Sequence, residues 1–450
     1  MNVNFMSLLI KHIEKDKSHY FTLFLTHRKF CLSMNFLHPR SISQETTEEI
    51  DLKTNDNEVK IDNKKTASMK LMKTMKSEYE NLNIKDYIKL INPQYIEVCP
   101  KIYLGYTSNI SDVSYLISEN GAKNFVDLII DDLSKNMTFV AEANPGAGVL
   151  TKELLEAGVK IIRIYEPNEC FYPLLRKLQK KYPDRLEIRK ANILKMSKLY
   201  FLDQQDNKER INEVLKDVPY VHWENETCMQ VIGAIINYRF LKHLICSVVF
   251  RTSFMLQGRT SFYLAITPSL WNIISNPQNK AAFNFLYIIY QTLFDCKYLG
   301  DIERLFYIPW PRNSLKQKKL QVNDNKILKV VKIEPKADLF KNTTKPIQII
   351  SYWYFVKYHL KSKEQRVIPE LEKWIPGCGI RLIQKNYNIF TRFVDLTPLE
   401  FLDLYEEFVS WPEYENCLFL TSAYSYIHIV NQNTEFTDTL NFKGKKIFYK

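Results

Sequence analysis

Glycine is scarce in this chain, so the positions of the few glycines are informative. The 450 residues contain only 11 glycines, and two of them, Gly146 and Gly148, lie one residue apart. They follow the short apolar run 139–143 and precede an amphipathic segment. This order predicts a strand, a tight turn and a helix start, the arrangement in which backbone approaches a bound nucleotide closely. Glycine at both positions permits backbone angles that a Cβ atom would forbid.

Cysteine and histidine are few and dispersed. The chain has 8 of each, and no two cysteines have the Cys-x-x-Cys spacing that is typical of zinc sites. Scattered single cysteines fit a reducing compartment and buried apolar roles. We therefore infer no metal site from the sequence.

Long apolar runs are missing, and acidic residues are outnumbered. No run reaches the roughly 18 residues that a membrane-spanning helix requires, so the sequence predicts no membrane partner. The 62 Lys and Arg residues exceed the 50 Asp and Glu residues, which gives a net charge of +12 and a pI near 9.0. This balance favours an acidic partner such as nucleic acid. Ordinary solubility charge is the alternative interpretation.

Composition divides the chain into four segments. Residues 1–45 hold six Lys or Arg residues against three acids, which predicts a mitochondrial presequence, with a plain disordered tail as the alternative. Residues 46–86 are polar and read as a solvated linker. The density of large apolar residues rises at Tyr87. We expect an α/β domain over 87–345 and a smaller helical domain over 346–450.

Strand and helix patterns alternate along the larger segment. Strands are predicted at 139–143, 161–165, 186–188, 229–233, 262–266 and 327–333, and helices at 121–130, 281–294, 354–360, 368–374 and 398–409. Alternation of this kind predicts an α/β fold with a parallel sheet and helices on both of its faces.

Two acids accompany the glycine turn. Glu166 ends the second predicted strand, where a carboxylate can accept both hydroxyls of a ribose. Glu142 lies at the end of the first strand, just before the turn. Acids at both places would repel a pyrophosphate, so they favour the cationic S-adenosylmethionine over NAD as the ligand. A Rossmann-like turn without any ligand is the alternative.

The sequence Glu-Ala-Asn-Pro-Gly-Ala-Gly-Val-Leu-Thr at 142–151 resembles the first motif of the rRNA adenine dimethyltransferase family. It is most similar to the mitochondrial branch called transcription factor B. Further similarities cover roughly 90–425. Residues 123–127 resemble the Gln-Asn-Phe-Leu segment that begins a helix in the family, and Glu166 with 171–174 resembles the second motif. Residues 307–310 and 330–340 resemble the last strands of the fold, and 396–401 resemble the start of a C-terminal helix in the second mitochondrial paralogue.

The resemblance implies a class I S-adenosylmethionine-dependent methyltransferase, with a Rossmann-like seven-stranded sheet and a helical C-terminal domain. It implies that Glu166 would hold the ribose of S-adenosylmethionine. Asn192 stands where the family usually has an Asp that contacts the adenine amine, and an amide there still bonds but lacks the charge. The cofactor-binding residues implied by the resemblance are Asn124, Glu142, Asn144, Gly146, Gly148, Glu166 and Asn192.

The catalytic motif departs from the family. Members with methyltransferase activity carry Asn-Leu-Pro-Tyr after the fourth strand, whose Asn side chain accepts a hydrogen bond from the target adenine amine and whose aromatic ring stacks on the flipped base. This chain has Ala234, Ile235, Ile236, Asn237 and Tyr238 there. Ala234 has no acceptor side chain, and we interpret 234–236 as a buried strand end. A slipped loop that brings Asn237 and Tyr238 into place is the alternative.

The resemblance therefore implies a mitochondrial transcription initiation factor in which methyl transfer is weak or lost. Its expected partners are the mitochondrial RNA polymerase and promoter DNA, in the mitochondrial matrix, and the chain is expected to be a monomer. An active dimethyltransferase of small-subunit rRNA is the alternative, and a generic Rossmann oxidoreductase is a third. The candidate phosphate contacts are Lys316, Lys318, Lys319, Lys329 and Lys332, and the candidate base-stacking residues are Tyr238 and Trp310.

Overall fold

The computed structural model describes residues 84–104, 113–235, 237–275, 284–310, 324, 326–339 and 347–432. These residues belong to one compact unit, Leu71–Lys450. The predicted presequence 1–45 and residues 46–83 of the predicted linker lie outside the described residues. Helix α1 begins at Ile84, which is buried, so residues 84–86 of the predicted linker belong to a helix.

A seven-stranded sheet forms the centre of this unit, which confirms the expected class of fold. Its strand order is β4-β3-β2-β5-β6-β9-β7. The strands are β2 (Val140–Ala143), β3 (Ile162–Tyr165), β4 (Leu186–Arg189), β5 (Met229–Ile235), β6 (Thr260–Ile266), β7 (Phe294–Glu303) and β9 (Ile327–Pro335). A separate two-stranded sheet pairs β1 (Tyr115–Leu116) with β8 (Tyr307–Ile308).

The prediction of a parallel sheet is wrong at β9. Strands β4, β3, β2, β5 and β6 pair in parallel, whereas β9 runs antiparallel to both β6 and β7. Parallel neighbours require a long crossover, usually a helix. The described part of the β7–β9 connection contains only a 3-10 turn, Arg304–Phe306, and the short strand β8.

Two details of the last strands also differ from the sequence analysis. Residues 307–310 resemble the last strands of the fold, but 307–308 form β8 of the small sheet and the last strands are β7 and β9. Strand β7 was not predicted because it lies at the edge of the sheet, where few of its residues are fully buried and its sequence shows no apolar run. The predicted helix 281–294 is observed as α10 (Asn284–Leu293), and residues 281–283 lie outside the described part of the chain.

Both faces of the sheet are covered, because successive side chains of its strands enter different apolar cores. On β5, Val231 belongs to one core and Ile232 to the other, and on β6 Phe262 and Tyr263 divide in the same way. This alternation of two buried faces is typical of a sheet between helical layers. The helices before β7 are α1 (Ile84–Ile91), α2 (Pro93–Val98), α3 (Glu119–Leu133), α4 (Val149–Glu156), α5 (Tyr172–Lys181), α6 (Met196–Asp206), α7 (Arg210–Val214), α8 (Tyr238–Phe250), α9 (Pro268–Ser275) and α10.

The region after residue 346 is helical where the structure describes it. It contains α11 (Ile347–His359), α12 (Val367–Glu372), α13 (Gly379–Gln384), α14 (Pro398–Ser410) and α15 (Leu418–Gln432), which include the helices predicted at 354–360, 368–374 and 398–409. Thr397 and Glu400 form a capping box that starts α14. The boundary at 345/346 stays a prediction, since 340–346 are outside the described residues. Within the described ranges, none of the helices combines the length and the apolar character that crossing a membrane demands.

Candidate functional site

The glycine turn leaves the carboxyl end of β2 and leads into α4. Asn144, Gly146 and Gly148 have positive φ angles of 54°, 60° and 79°. Gly148 is the residue that caps the start of α4. Three left-handed residues in five positions reverse the chain within a very short loop, which explains why glycine is needed at two of them.

Gly146 and Gly148 are also needed because neighbouring side chains lie against them. A Cβ atom on Gly146 would come within 2.9 Å of Cδ1 of Tyr115. A Cβ atom on Gly148 would lie 3.0 Å from side-chain carbons of Leu175 and Leu178. The turn is therefore packed between the ring of Tyr115 on one side and helix α5 on the other.

Glu142 is buried inside β2, one residue before the strand ends. Its side chain is enclosed, with 2% exposure, and its Oε2 accepts a 2.6 Å hydrogen bond from the hydroxyl of Thr151 in α4. Burial raises the pKa of Glu142 to about 8, an effect that the Thr151 hydrogen bond opposes and the nearby Glu166 reinforces. The carboxyl group of Glu142 therefore holds its proton more tightly than an exposed glutamate does.

Glu166 follows β3 and is completely enclosed, with 0% exposure. Its Oε2 accepts from the backbone N–H of Gly146 at 3.0 Å, and its Oε1 accepts from the backbone N–H of Asn168 at 2.8 Å. The hydroxyl of Tyr115 donates to the same Oε1 at 3.3 Å. Burial raises the pKa of Glu166 to about 7, although the hydrogen bonds from Asn168, Gly146 and Tyr115 oppose the shift.

Asn144 is the one predicted cofactor residue with buried polar side-chain atoms that have no hydrogen-bond partner among the described residues. Its Nδ2 and Oδ1 are both inaccessible to solvent, and its side chain is only 4% exposed. Ser114, next to Tyr115, also has a buried hydroxyl without a described partner. Buried polar groups are nearly always hydrogen-bonded in folded proteins, so these groups point to a ligand.

The remaining predicted cofactor residues, Asn192 and Asn124, differ in burial and in hydrogen bonding. Asn192 is half-buried after β4, and its Oδ1 accepts from the backbone N–H of Leu194 at 3.1 Å, so it starts a short 3-10 turn. Asn124 is exposed in the middle of α3, whereas its neighbour Phe125 faces the core. No described contact joins Asn124 to the glycine turn or to Glu166, so the structure does not bring it into the group.

The degenerate catalytic segment begins inside β5. Ala234 and Ile235 are buried and pair with Ala265 and Ile266 of β6, which agrees with our interpretation of a buried strand end. Asn237 caps α8, and its side-chain oxygen accepts from the backbone N–H of Arg239 at 2.9 Å. Ile236 lies outside the described residues.

The predicted nucleic-acid contacts fall into two groups. Lys316, Lys318 and Lys319 lie outside the described residues. Lys329 and Lys332 lie on β9 in ion pairs: Lys329 Nζ is 3.2 Å from Asp301, and Lys332 Nζ is 2.7 Å from Asp132 and 3.2 Å from Glu334. These two ammonium groups are therefore largely neutralised by the protein's own carboxylates, which the sequence analysis did not anticipate.

The two predicted base-stacking residues differ in exposure. Trp310 is buried, donates from its indole N–H to the carbonyl of Leu305 at 3.2 Å and packs on Tyr87 with ring centroids 4.9 Å apart. Trp310 is thus a core residue. Tyr238 is half-buried at the start of α8, with Nζ of Lys242 4.7 Å from its ring centroid.

A cluster of aromatic side chains that the sequence does not indicate covers the turn. Tyr115 and Phe171 have ring centroids 4.9 Å apart, and Tyr95 and Phe171 have centroids 5.4 Å apart. All three side chains are fully buried. They come from the segment before β2 and from the segment after β3, so no local spacing in the sequence signals the cluster.

The strand order, the single antiparallel strand and the acid-flanked glycine turn define a class I methyltransferase fold. The chain is 31% identical to dimethyladenosine transferase 2, mitochondrial, of Drosophila melanogaster, in an alignment that covers 63% of this chain and 72% of that protein. It is 22% identical to the human protein of the same name, covering 65% and 76%. The chain therefore belongs to the rRNA adenine dimethyltransferase family, in its dimethyladenosine transferase 2 branch.

A bacterial relative and two solved structures are also similar to this chain. Ribosomal RNA small subunit methyltransferase A of Thermotoga petrophila is 24% identical, covering 52% of this chain and 80% of that protein. Among solved structures, the 23S rRNA methyltransferase ErmE covers 65% of this chain and 98% of its own at 13% identity and a TM-score of 0.42. A dimethyladenosine transferase from Plasmodium falciparum covers 63% and 95% at 14% identity and a TM-score of 0.39. No protein-family model matches the sequence.

Family and fold imply S-adenosylmethionine as the cofactor, and the chemistry of the residues fits it. Glu166 provides an acceptor for ribose hydroxyls, and the amide of Asn144 provides a donor and an acceptor. Both carboxylate oxygens of Glu166 are already engaged in this structure, however, because they accept three hydrogen bonds from the protein. Among the described residues, no cluster of His, Cys, Asp or Glu has the composition of a metal site.

Proposed function

We propose that this chain is a mitochondrial transcription initiation factor that keeps the dimethyltransferase fold but has weak or no methyl transfer. In this proposal the chain acts as a monomer in the mitochondrial matrix and helps the mitochondrial RNA polymerase to melt promoter DNA. Sequence similarity to the dimethyladenosine transferase 2 branch supports the proposal, as does the net charge of +12.

The observation that carries the proposal is the end of β5. Methylation of adenine N6 requires acceptors that orient the amine toward the methyl donor. Ala234 offers no side-chain acceptor and is only 4% exposed within the strand. The acceptor oxygen of Asn237 is engaged in starting α8. Neither residue provides what the family's Asn-Leu-Pro-Tyr motif provides.

A fold that binds a single-stranded substrate can serve promoter melting without that chemistry. Binding of single-stranded nucleic acid combines cations along the backbone with aromatic faces for the bases. Tyr238 is half-buried at the carboxyl end of the sheet and is the more accessible of the two predicted base-stacking residues. Lys316, Lys318 and Lys319 remain proposed backbone contacts, whereas the ion pairs of Lys329 and Lys332 make these two lysines poorer candidates.

The test compares two promoter templates in transcription by the mitochondrial RNA polymerase. We expect the chain to stimulate run-off transcription from duplex promoter DNA. The stimulation should be small on the same promoter carrying a pre-melted bubble at the start site, because melting is then no longer needed. Equal stimulation of both templates would contradict a melting role, and no stimulation of either would contradict a role in initiation.

The alternative function is an active S-adenosylmethionine-dependent dimethyltransferase of small-subunit rRNA. The buried and unpartnered amide of Asn144 favours it, since such a group indicates a retained ligand. Transfer of labelled methyl groups to an rRNA hairpin with two adjacent adenines distinguishes the two functions. Multiple turnovers on the hairpin, without stimulation of transcription, would establish the alternative.

A further inference from the structure

The acid that would hold the cofactor ribose is inaccessible in this structure. Glu166 has 0% exposure, and the same is true of Tyr115 and Phe171 beside it. A ribose diol needs the carboxylate as a hydrogen-bond acceptor. No ligand group can reach either oxygen of Glu166 unless a neighbouring side chain moves.

Of the three donors to Glu166, the hydroxyl of Tyr115 is the one that can move away from the carboxylate. The other two donors to Glu166 are backbone N–H groups of Gly146 and Asn168, which are fixed by the turn and by the end of β3. Tyr115 donates through a side chain that can rotate, and the side-chain amide of Asn168 in turn donates to the hydroxyl of Tyr115. The tyrosine hydroxyl thus makes the contact with Glu166 that a ribose hydroxyl would make.

The strand that carries Tyr115 is short. Tyr115 belongs to β1, a two-residue strand that pairs only with the two residues of β8 among the described parts of the chain. Short, peripheral elements open at a lower free energy than the central strands of a sheet. The ring also lies 2.9 Å from the position that a Cβ on Gly146 would take, so it covers one face of the glycine turn.

We propose that Tyr115 is an internal occupant of the ribose subsite, so that its contact with Glu166 and the binding of S-adenosylmethionine exclude each other. The tyrosine hydroxyl competes with the ribose for the carboxylate, and its ring covers the glycine turn until β1 shifts. This inference rests on the cofactor that the family implies and does not depend on the proposed role at promoters.

The test is calorimetric titration of S-adenosylmethionine into the full chain and into Tyr115→Phe. The variant keeps the ring but loses the competing hydroxyl, so we expect its Kd to fall by about tenfold, the equivalent of one hydrogen bond. Tyr103→Phe is the matched control: Tyr103 lies edge-on to Tyr115, with centroids 5.2 Å apart, and makes no described hydrogen bond to Glu166. The control should bind as the parent does.

A double variant shows whether the gain acts through the carboxylate. Tyr115→Phe combined with Glu166→Ala should lose the added affinity, and thermal unfolding without cofactor checks that each protein is folded. Equal affinity of the parent and Tyr115→Phe would overturn the proposal. Weaker binding by Tyr115→Phe would overturn it too, because the hydroxyl would then be a cofactor contact. Absence of binding in the parent and in Tyr115→Phe alike would also overturn it, and none of these results bears on the transcription assay.

Discussion

The hydroxyl of Thr151 donates a 2.6 Å hydrogen bond to the carboxyl of Glu142 and so ties the first turn of α4 to the end of β2. Both side chains are buried, at 0% and 2% exposure. A buried acid with one hydroxyl donor and no described cation beside it is stabilised as the neutral form. The consequence is a dependence of folding stability on pH.

We expect Glu142→Gln to be more stable than the parent at high pH. Burial raises the folded-state pKa of Glu142 from 4.5 to about 8, so the folded chain binds the proton more tightly than the unfolded chain. The stability that this group contributes is complete below pH 4.5 and is lost as the pH rises through 8. At pH 9 the variant should gain on the order of 1 kcal/mol or more, because the buried charge is absent. Urea unfolding between pH 6 and pH 9 measures the difference, and exposed Glu156→Gln should show no such trend.

The guanidinium of Arg259 is buried just before β6, an inner strand of the sheet. It lies 2.7 Å from the carboxylate of Glu334 and donates to the carbonyls of Trp223, Asn225 and Pro335 at 2.7, 2.5 and 3.0 Å. Arg259→Met would leave Glu334 without its main partner and three carbonyls without a donor. We expect a loss of about 3–5 kcal/mol in the free energy of unfolding, measured by urea denaturation.

The control for Arg259 is Arg381, which forms a two-bond pair with Glu413 in solvent. Exposed pairs of this kind contribute little to stability. Arg381→Met should therefore unfold at nearly the parent's urea concentration. Equal losses in the two variants would show that burial of Arg259 has no special importance.

Lys357 on α11 gives a third prediction. Its ammonium contacts the hydroxyl of Tyr426 and lies 5.2 Å from the ring centroid of Trp353. Burial lowers the pKa of Lys357 to about 7, while the Cys246 thiol opposes the shift and Lys242 adds to it. Between pH 7 and 10.5 the unfolded chain binds the proton more tightly, so this group's penalty on folding disappears as the pH rises.

Lys357→Met should therefore raise stability at pH 7 by about 1 kcal/mol or more, and the advantage should shrink by pH 10. Denaturation at the two pH values measures both effects. Exposed Lys361→Met, just beyond the same helix, is the control and should change neither. A destabilised Lys357→Met at pH 7 would mean that the contacts with Trp353 and Tyr426 outweigh the desolvation of the charge.

A fourth prediction concerns restoration of the family's amide. Ala234 is enclosed in β5 beside Ala265 of β6, so Ala234→Asn would bury a polar group in an apolar core. We expect a loss of about 1–3 kcal/mol in stability and no gain of methyl transfer to an rRNA hairpin. Ala234→Val tests volume alone at the same position. Methyl transfer by the Asn variant would show that this single residue separates the chain from an active enzyme.

The sequence identified the parts of the site that are encoded locally. The turn from Glu142 to Gly148 could be predicted because an apolar strand, two glycines and a helix start follow one another directly. The acid at Glu166 could be predicted because it ends the next strand. Both predictions depend only on a few adjacent residues.

Contacts between distant segments could not be predicted in this way. Tyr115 and Glu166 are 51 residues apart, and their hydrogen bond depends on how β1 folds back over the turn. The sequence suggested Lys332 as a phosphate contact, but in the structure its ammonium group forms an ion pair with Asp132, which lies on a different element. Asn124 was assigned to the cofactor site because a short segment resembles a family motif. In the structure its position on α3 leaves its side chain exposed at the surface.

The helices before the sheet set a limit on how far the N-terminus of this chain can be trimmed. Tyr87 of α1 packs on Trp310, and Tyr95 of α2 packs on Phe171 beside the glycine turn. A truncation that removed these helices would take away the ring that packs on Trp310 and the ring that packs on Phe171. The segment from Ile84 onward is therefore part of the packing around the glycine turn, and a shortened protein has to include it.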